Sequence, residues 1–173
     1  MSLVGSGMGF ASKAVLAGVL ALGVGAGGVA YMNSDTKSDV ATVATLPLSI
    51  KSTNGTHTFK VESAKTLDEQ ARGLMFRTDL KPDGGMLFWP YPPTGGAPVA
   101  ASFWMKNTPS SLDILYIRAD GTIARIAENT VPFSETPSPS GEPVGAVLEL
   151  MGGRAAELGI AEGDLVTWDK GAK

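Results

Sequence analysis

Residues Ser102 to Ile117 read SFWMKNTPSSLDILYI, two dense apolar runs around a short polar knot of Lys106, Asn107, Thr108 and Asp113. If the first run is a strand, Ser102, Trp104, Lys106 and Thr108 share one face and Phe103, Met105 and Asn107 the other. Pro109 interrupts it. Leu112 to Ile117 reads as a second strand, turned at Asp120-Gly121 into Thr122–Glu128, with Ile117 facing Ala124 and Leu115 facing Ile126. That register sets Asp113 beside Leu115 and Ile117, across from Glu128. A carboxylate at the end of an apolar face must be paired, hydrogen-bonded or protonated.

Upstream, PYPPTGGAPV at 90–99 holds four prolines and two glycines and reads as a loop. It follows the apolar strand Met86–Trp89, and Trp89 and Tyr91 at its root are placed either to stack on a ligand ring or to pack the strand edge. Thr66 and Glu69 form a capping-box pattern, which predicts a helix from Leu67 to about Met75 with Leu67, Ala71, Leu74 and Met75 on one side. Arg72 lies off that stripe, one turn after Asp68. Earlier still, Asn54-Gly55 signals a hairpin with Ile50 opposite Phe59 and Leu48 opposite Val61. The single His57 falls near its turn, opposite Ser52, and reads as an exposed turn-proximal residue.

Downstream, TVPFSETPSPSGEP at 130–143 reads as a second proline- and serine-rich loop. Ala146–Leu150 is a strand carrying Glu149 inside its apolar run, a second acid in an unfavourable place. Gly152-Gly153 leads into a brief helix through Leu158, stopped at Gly159, and Leu165–Trp168 closes the series. Six or seven short strands with two short helices predict an α+β, mainly β domain over residues 46–170, built on a compact, barrel-like antiparallel or mixed sheet.

Composition narrows the function. With 173 residues, 43% hydrophobic and 18% charged, the chain has room for one domain with a real core. A net charge of -3 gives no broad basic field, which argues against nucleic-acid binding. The absence of cysteine and the single histidine remove thiolate chemistry, sulfur-based zinc sites and multi-histidine metal sites, and no cofactor motif is present. After Lys13 the uncharged run Ala14–Met32, about nineteen residues, is close to the ~20 that span a bilayer. Residues 1–32 are therefore expected to be a signal peptide or an N-terminal anchor, followed by a polar linker at 33–45. The domain would then be exported, periplasmic or held at the cytoplasmic membrane facing the periplasm, with the membrane touched only by that segment.

The motifs GLMFR at 73–77, GGMLF at 84–88, FWMKNT at 103–108, LDILYI at 112–117, VLEL at 147–150 and LGIAEGD at 158–164 occur in one order. On these the chain, from Leu48 to Trp168, resembles the bacterial and archaeal domain-of-unknown-function family 192. The resemblance implies a compact, mainly β domain, often behind an export signal, with no established biochemical activity. Its polar motif positions fall here on Arg72, Arg77, Lys106, Asn107, Thr108, Asp113 and Glu149.

Those residues, with Trp89 and Tyr91, are the candidate ligand-binding set. The first reading is a monomeric binding module for a small molecule, glycan or other envelope component, centred on Lys106 and Asn107. A second is a hydrolase using Asp113 and Glu149 as acid and base, which requires the two carboxyls to share one compartment. In the third, the polar residues are internal fasteners of a structural or partner-binding domain, since a buried ion pair adds little net stability yet costs about 3–5 kcal/mol when one partner is lost.

Overall fold

The computed structural model describes residues 44–171. The expected signal or anchor at 1–32 and residues 33–43 of the linker lie outside the described residues; the first strand already begins at Thr45. The strands are β1 (Thr45–Ser52), β2 (Gly55–Ala64), β3 (Gly84–Phe88), β4 (Val99–Phe103), β5 (Leu112–Ile117), β6 (Ile123–Ala127), β7 (Ser138–Val144), β8 (Ala146–Met151) and β9 (Leu165–Trp168). Two short helices, α1 (Leu67–Arg72) and α2 (Arg154–Leu158), complete the described fold. None of the helices among the described residues is long and apolar enough to cross a membrane.

Seven strands form one mixed sheet in the order β6-β5-β8-β3-β2-β1-β9. Only β2 and β3 run parallel, and α1 lies on the connection between them. The sheet curls into a half-barrel whose edges touch at one bridge, Thr122 to Leu165, backed by the Ile123 amide donating to the Asp164 carbonyl at 2.9 Å. Leu87 from the middle of the sheet and Ile123 and Val166 from its two edges meet in one buried cluster, which marks the concave side. The opposite side carries a second cluster, including Met86, Phe88, Ile114, Tyr116 and Val147, roofed by the two-stranded ribbon β4-β7 and by Leu74 beyond α1. Each fully buried large side chain contributes about 1.5–3 kcal/mol of transfer free energy, so the two faces stabilise the sheet from both sides.

The LDILYI strand is β5, and all six of its residues are buried because it lies between β6 and β8 and is covered on both faces. FWMKNT behaves differently. Only Phe103 is in a strand; the chain turns through Lys106 and Asn107, where Asn107 adopts a φ of 54°, so the alternation expected over Ser102–Thr108 ends at Phe103. The second expected loop also resolves differently, since Ser138–Val144 is a strand despite Pro139 and Pro143. A proline that cannot donate to a ladder is tolerated in a two-stranded ribbon, where each strand has a free edge.

Registers were partly legible. Leu115 does face Ile126, but a bulge after Tyr116 moves Ile117 onto Ile123 instead of Ala124. In the first hairpin the loop is Thr53-Asn54, so Leu48 pairs with Phe59 and Ile50 with His57. This is a slip of two residues, which keeps every side chain on its face. The Asn54 amide, whose Nδ2 lies 3.5 Å from the carbonyl of Leu158, the last residue of α2, ties the loop down in that register. His57 is half-buried, its Nε2 3.1 Å from Ser52 Oγ.

The capping box forms as expected: Glu69 N donates to Thr66 Oγ1, and Thr66 N donates to Glu69 Oε2 at 2.9 Å. The helix stops three residues early, at Arg72, because Gly73 leaves helical geometry at φ 48° and lies flush against Phe88, where a Cβ would sit 3.1 Å from the ring. No residue of α1 is buried; Leu74, beyond its end, makes the core contact.

Candidate functional site

The described residues enclose a cleft of about 450 Å³ between α1 and the end of the β4-β7 ribbon. One wall is Leu67, Gln70, Ala71 and Arg72, continuing through Leu74 and Met75; the other is Ser102, Phe103 and Trp104, with Thr108 below. Tyr91 and Pro93 of the first proline-rich loop close one side, and Phe88 and Glu149 lie at the floor. The second proline-rich segment does not line it, because residues 138–144 are committed to the ribbon. The aromatic wall is pre-organised: Phe103 sits edge-on to Phe88 at 4.9 Å and against Tyr91 at 6.0 Å, while Tyr116 behind it donates its hydroxyl to the Ser138 carbonyl.

Glu149 is the centre of this site. It projects from β8 on the convex side of the sheet, between Met86 of β3 and Ile114 of β5, and is 4% exposed. Its Oε2 has no hydrogen-bond partner among the described residues. Burial without a compensating charge pushes its carboxyl up to about 8, so it is mostly protonated at neutral pH. Gln70 holds a second orphaned atom. Its Nε2 donates to the Ala64 carbonyl at 3.0 Å and the Pro90 carbonyl at 2.9 Å, leaving Oε1 buried and unpartnered. Buried polar atoms almost always have partners, so two such atoms on one cleft are chemically unusual.

Of the sequence candidates, Arg72, Tyr91, Thr108 and Glu149 converge on this cleft. The rest go elsewhere. Arg77 forks onto Glu62 at 2.9 and 3.1 Å and also binds Asp79, an internal tie that holds its guanidinium in the charged form. Lys106 lies over the Trp104 ring at 5.0 Å with Glu135 4.0 Å away, on the surface. Asn107 serves through its main chain, its carbonyl accepting from Phe76 N at 2.7 Å. Trp89 packs on Trp168 in the concave cluster, with ring centroids 6.1 Å apart. Lys106 and Asn107, where the polar site was expected, do not line this cleft themselves; they stand behind its wall, Lys106 over Trp104 and Asn107 Nδ2 4.0 Å from Met75 Sδ, while Thr108 enters it.

Asp113 is a fastener. It is fully buried on the concave side and accepts from three main-chain amides, Asn129 at 2.8 Å, Gly153 at 2.9 Å and Ala155 at 2.8 Å. Asp113 pairs with Leu150 and Ile114 with Glu149, so the two acids point through opposite faces of the sheet. Paired acid–base hydrolysis by Asp113 and Glu149 is thereby ruled out. Gln70, Ser102, Phe103 and Trp104 were not among the sequence candidates; Gln70, a polar residue on α1 one turn before Leu74, carried the only signal that pattern reading could have used.

Comparison with known proteins agrees with the motif order. The sequence profile of the DUF192 family, described as an uncharacterized ACR, matches residues 49–168. The chain belongs to the DUF192 family. This DUF192 chain is similar to a protein of unknown function from Novosphingobium aromaticivorans, with 46% identity, a TM-score of 0.69, and coverage of 75% of this chain and 89% of that one. It is also similar to a protein from Sinorhizobium meliloti described as a candidate transcription regulator, with 40% identity, a TM-score of 0.67, and coverage of 73% of this chain and 95% of that one. No curated protein matches the DUF192 chain.

Proposed function

We propose that this DUF192 domain is a small-ligand binding module whose site is the cleft floored by Glu149. The observation that carries the reading is the buried, unpartnered carboxyl at the base of an aromatic-walled cavity. A cavity of about 450 Å³ is within the ~300–1,000 Å³ typical of small-molecule sites, and such sites combine apolar walls with a few convergent polar groups. Among the described residues no hydrogen bond or ion pair engages the Glu149 Oε2, whereas Arg77 and Asp113 are fully employed in holding the fold. Export to the cell envelope belongs to the same proposal, supported by the uncharged run Ala14–Met32 after Lys13.

The test is a fragment screen read by amide chemical shifts on the full chain. Ligands should perturb Gln70, Thr108 and Glu149 together. Ala71→Trp, on an exposed position of α1 at the cleft wall, should abolish those shifts without unfolding the protein. Hits that map to the Lys106 turn and are insensitive to Ala71→Trp would refute the assignment.

A further inference from the structure

The polar groups of the cleft also specify a ligand chemistry, an inference that rests on the cleft being a binding site. Gln70 spends both amide hydrogens on main-chain carbonyls, which fixes its identity at the orphaned end: Oε1 can only accept. Glu149 offers two carboxyl oxygens and no internal donor to meet Oε2. The cleft therefore carries unsatisfied acceptor capacity at Gln70, and at Glu149 once its carboxyl proton has left. Around them stand Leu67, Leu74, Phe88, Phe103 and Trp104, which favour an apolar body and place no cation beside the carboxyl.

We propose that the cleft binds a primary ammonium group carried on an apolar or aromatic body, with the ammonium seated on Glu149. A primary ammonium has three donors, enough to satisfy the Glu149 carboxylate with one to spare, and its charge neutralises the buried carboxylate. The aromatic wall adds attraction for a cation near a ring face.

The groups facing Glu149 are consistent with this polarity. Its strand neighbours contribute Met86 and Ile114, both uncharged. Tyr116 on β5 and Tyr91 on the loop are phenols held neutral by burial, and Tyr116 already spends its proton on the Ser138 carbonyl. Arg72 is the one cationic side chain lining the cleft, and it is exposed, where solvent screens it. The proton balance follows: the free protein holds Glu149 as the neutral acid, the ligand arrives as R–NH3+, and one proton leaves Glu149 for the buffer as the ion pair forms.

The experiment is calorimetric titration of the full chain at pH 7 with three probes of one shape: phenethylammonium, 2-phenylethanol and 3-phenylpropionate. The expected result is binding of phenethylammonium at least about tenfold tighter than the alcohol, no binding of the carboxylate, and release of close to one proton, read from the dependence of heat on buffer ionisation enthalpy. Glu149→Gln should erase the preference for the amine, and proton release by the unsubstituted chain tests the same point without relying on a variant. Amine binding with no proton release, or equal binding of the alcohol, overturns the ammonium assignment. Binding of the alcohol or carboxylate alone overturns it too while leaving the cleft a ligand site. Failure of all three probes, with an empty fragment screen, overturns both.

Discussion

Asp113 on β5 and Glu149 on β8 occupy consecutive rungs of one ladder and face opposite sides of the sheet, Asp113 opposite Leu150 and Glu149 opposite Ile114. Both are buried, yet one is saturated with donors and the other has an orphaned oxygen. Position in the sheet made them equivalent; the neighbours of each face made one a fastener and the other a site.

Asp113 should be the more costly of the two to remove. Its carboxylate collects the amides of Asn129 and Gly153 and that of Ala155 in the first turn of α2, whose own N-cap, Gly153, has no side chain to offer. Asp113→Ala would strand three inward-facing donors at about 1–3 kcal/mol each, so a loss of about 3 kcal/mol or more is expected in urea unfolding. Asp113→Asn keeps one acceptor oxygen and should lose less. A loss below about 1 kcal/mol for the alanine variant would show that the loop at Asn129 and α2 are held by other contacts.

Glu149 predicts a pH dependence of opposite sign to the usual carboxylate. Its carboxyl is raised from 4.5 to about 8 by burial, so between those values the folded state binds more protons than the unfolded state. Stability is therefore fully present below about 4.5, falls as pH rises toward about 8, and is level beyond it. Each unit of separation corresponds to about 1.4 kcal/mol, which sets the scale of the decline. Glu149→Gln should flatten this limb and exceed the parent protein in stability at pH 9. Equal slopes for the two proteins between pH 5 and 8 would contradict the burial assigned to Glu149.

How much of this was legible follows from where the information resides. LDILYI and the Thr66–Glu69 box are local patterns, and both appear as read, because alternation and capping are settled within a few residues. The ribbon strand Ser138–Val144 was hidden by Pro139 and Pro143, whose tolerance depends on having no neighbour on one edge, a fact of topology. The sequence marks Asp113 as an acid needing partners, but those partners are main-chain amides 16, 40 and 42 residues away, which have no sequence signature. The cleft was hidden for the same reason: Gln70, Phe103 and Glu149 meet only because β4-β7 folds back over the convex side of the sheet.

Arg77 should behave as a structural tie. Its two terminal nitrogens meet the two oxygens of Glu62 at 3.1 and 2.9 Å, while Nε meets Asp79 at 2.6 Å. The Arg77 side chain is 30% exposed and that of Glu62 17%, so solvent weakens the pair. A double-mutant cycle with Arg77→Met and Glu62→Gln should return a coupling of about 1 kcal/mol that shrinks in high salt. Ligand binding in the Glu149 cleft should be unchanged in Glu62→Gln. A coupling near zero at low salt would leave the fork without energetic weight.

Gly85 should be among the least replaceable positions in the sheet, for a reason of contact and not of conformation. It lies on β3 against β8, and a Cβ there would stand 2.5 Å from the carbonyl oxygen of Glu149 and 2.9 Å from Leu150 Cδ2. Neither can yield easily, since the first is main chain in a central strand and the second is buried on the concave side. Gly85→Ala is therefore expected to cost about 2–3 kcal/mol by overpacking. Gly95 provides the contrast: its φ of 74° strains any side chain, but nothing lies within 4 Å, so Gly95→Ala should cost only about 1 kcal/mol. Because the obstructed atom belongs to Glu149, Gly85→Ala should also move β8 and change the pH limb described above. A variant that loses stability equally at every pH from 5 to 9 would show that the strand yields elsewhere and that the cleft floor is not coupled to it.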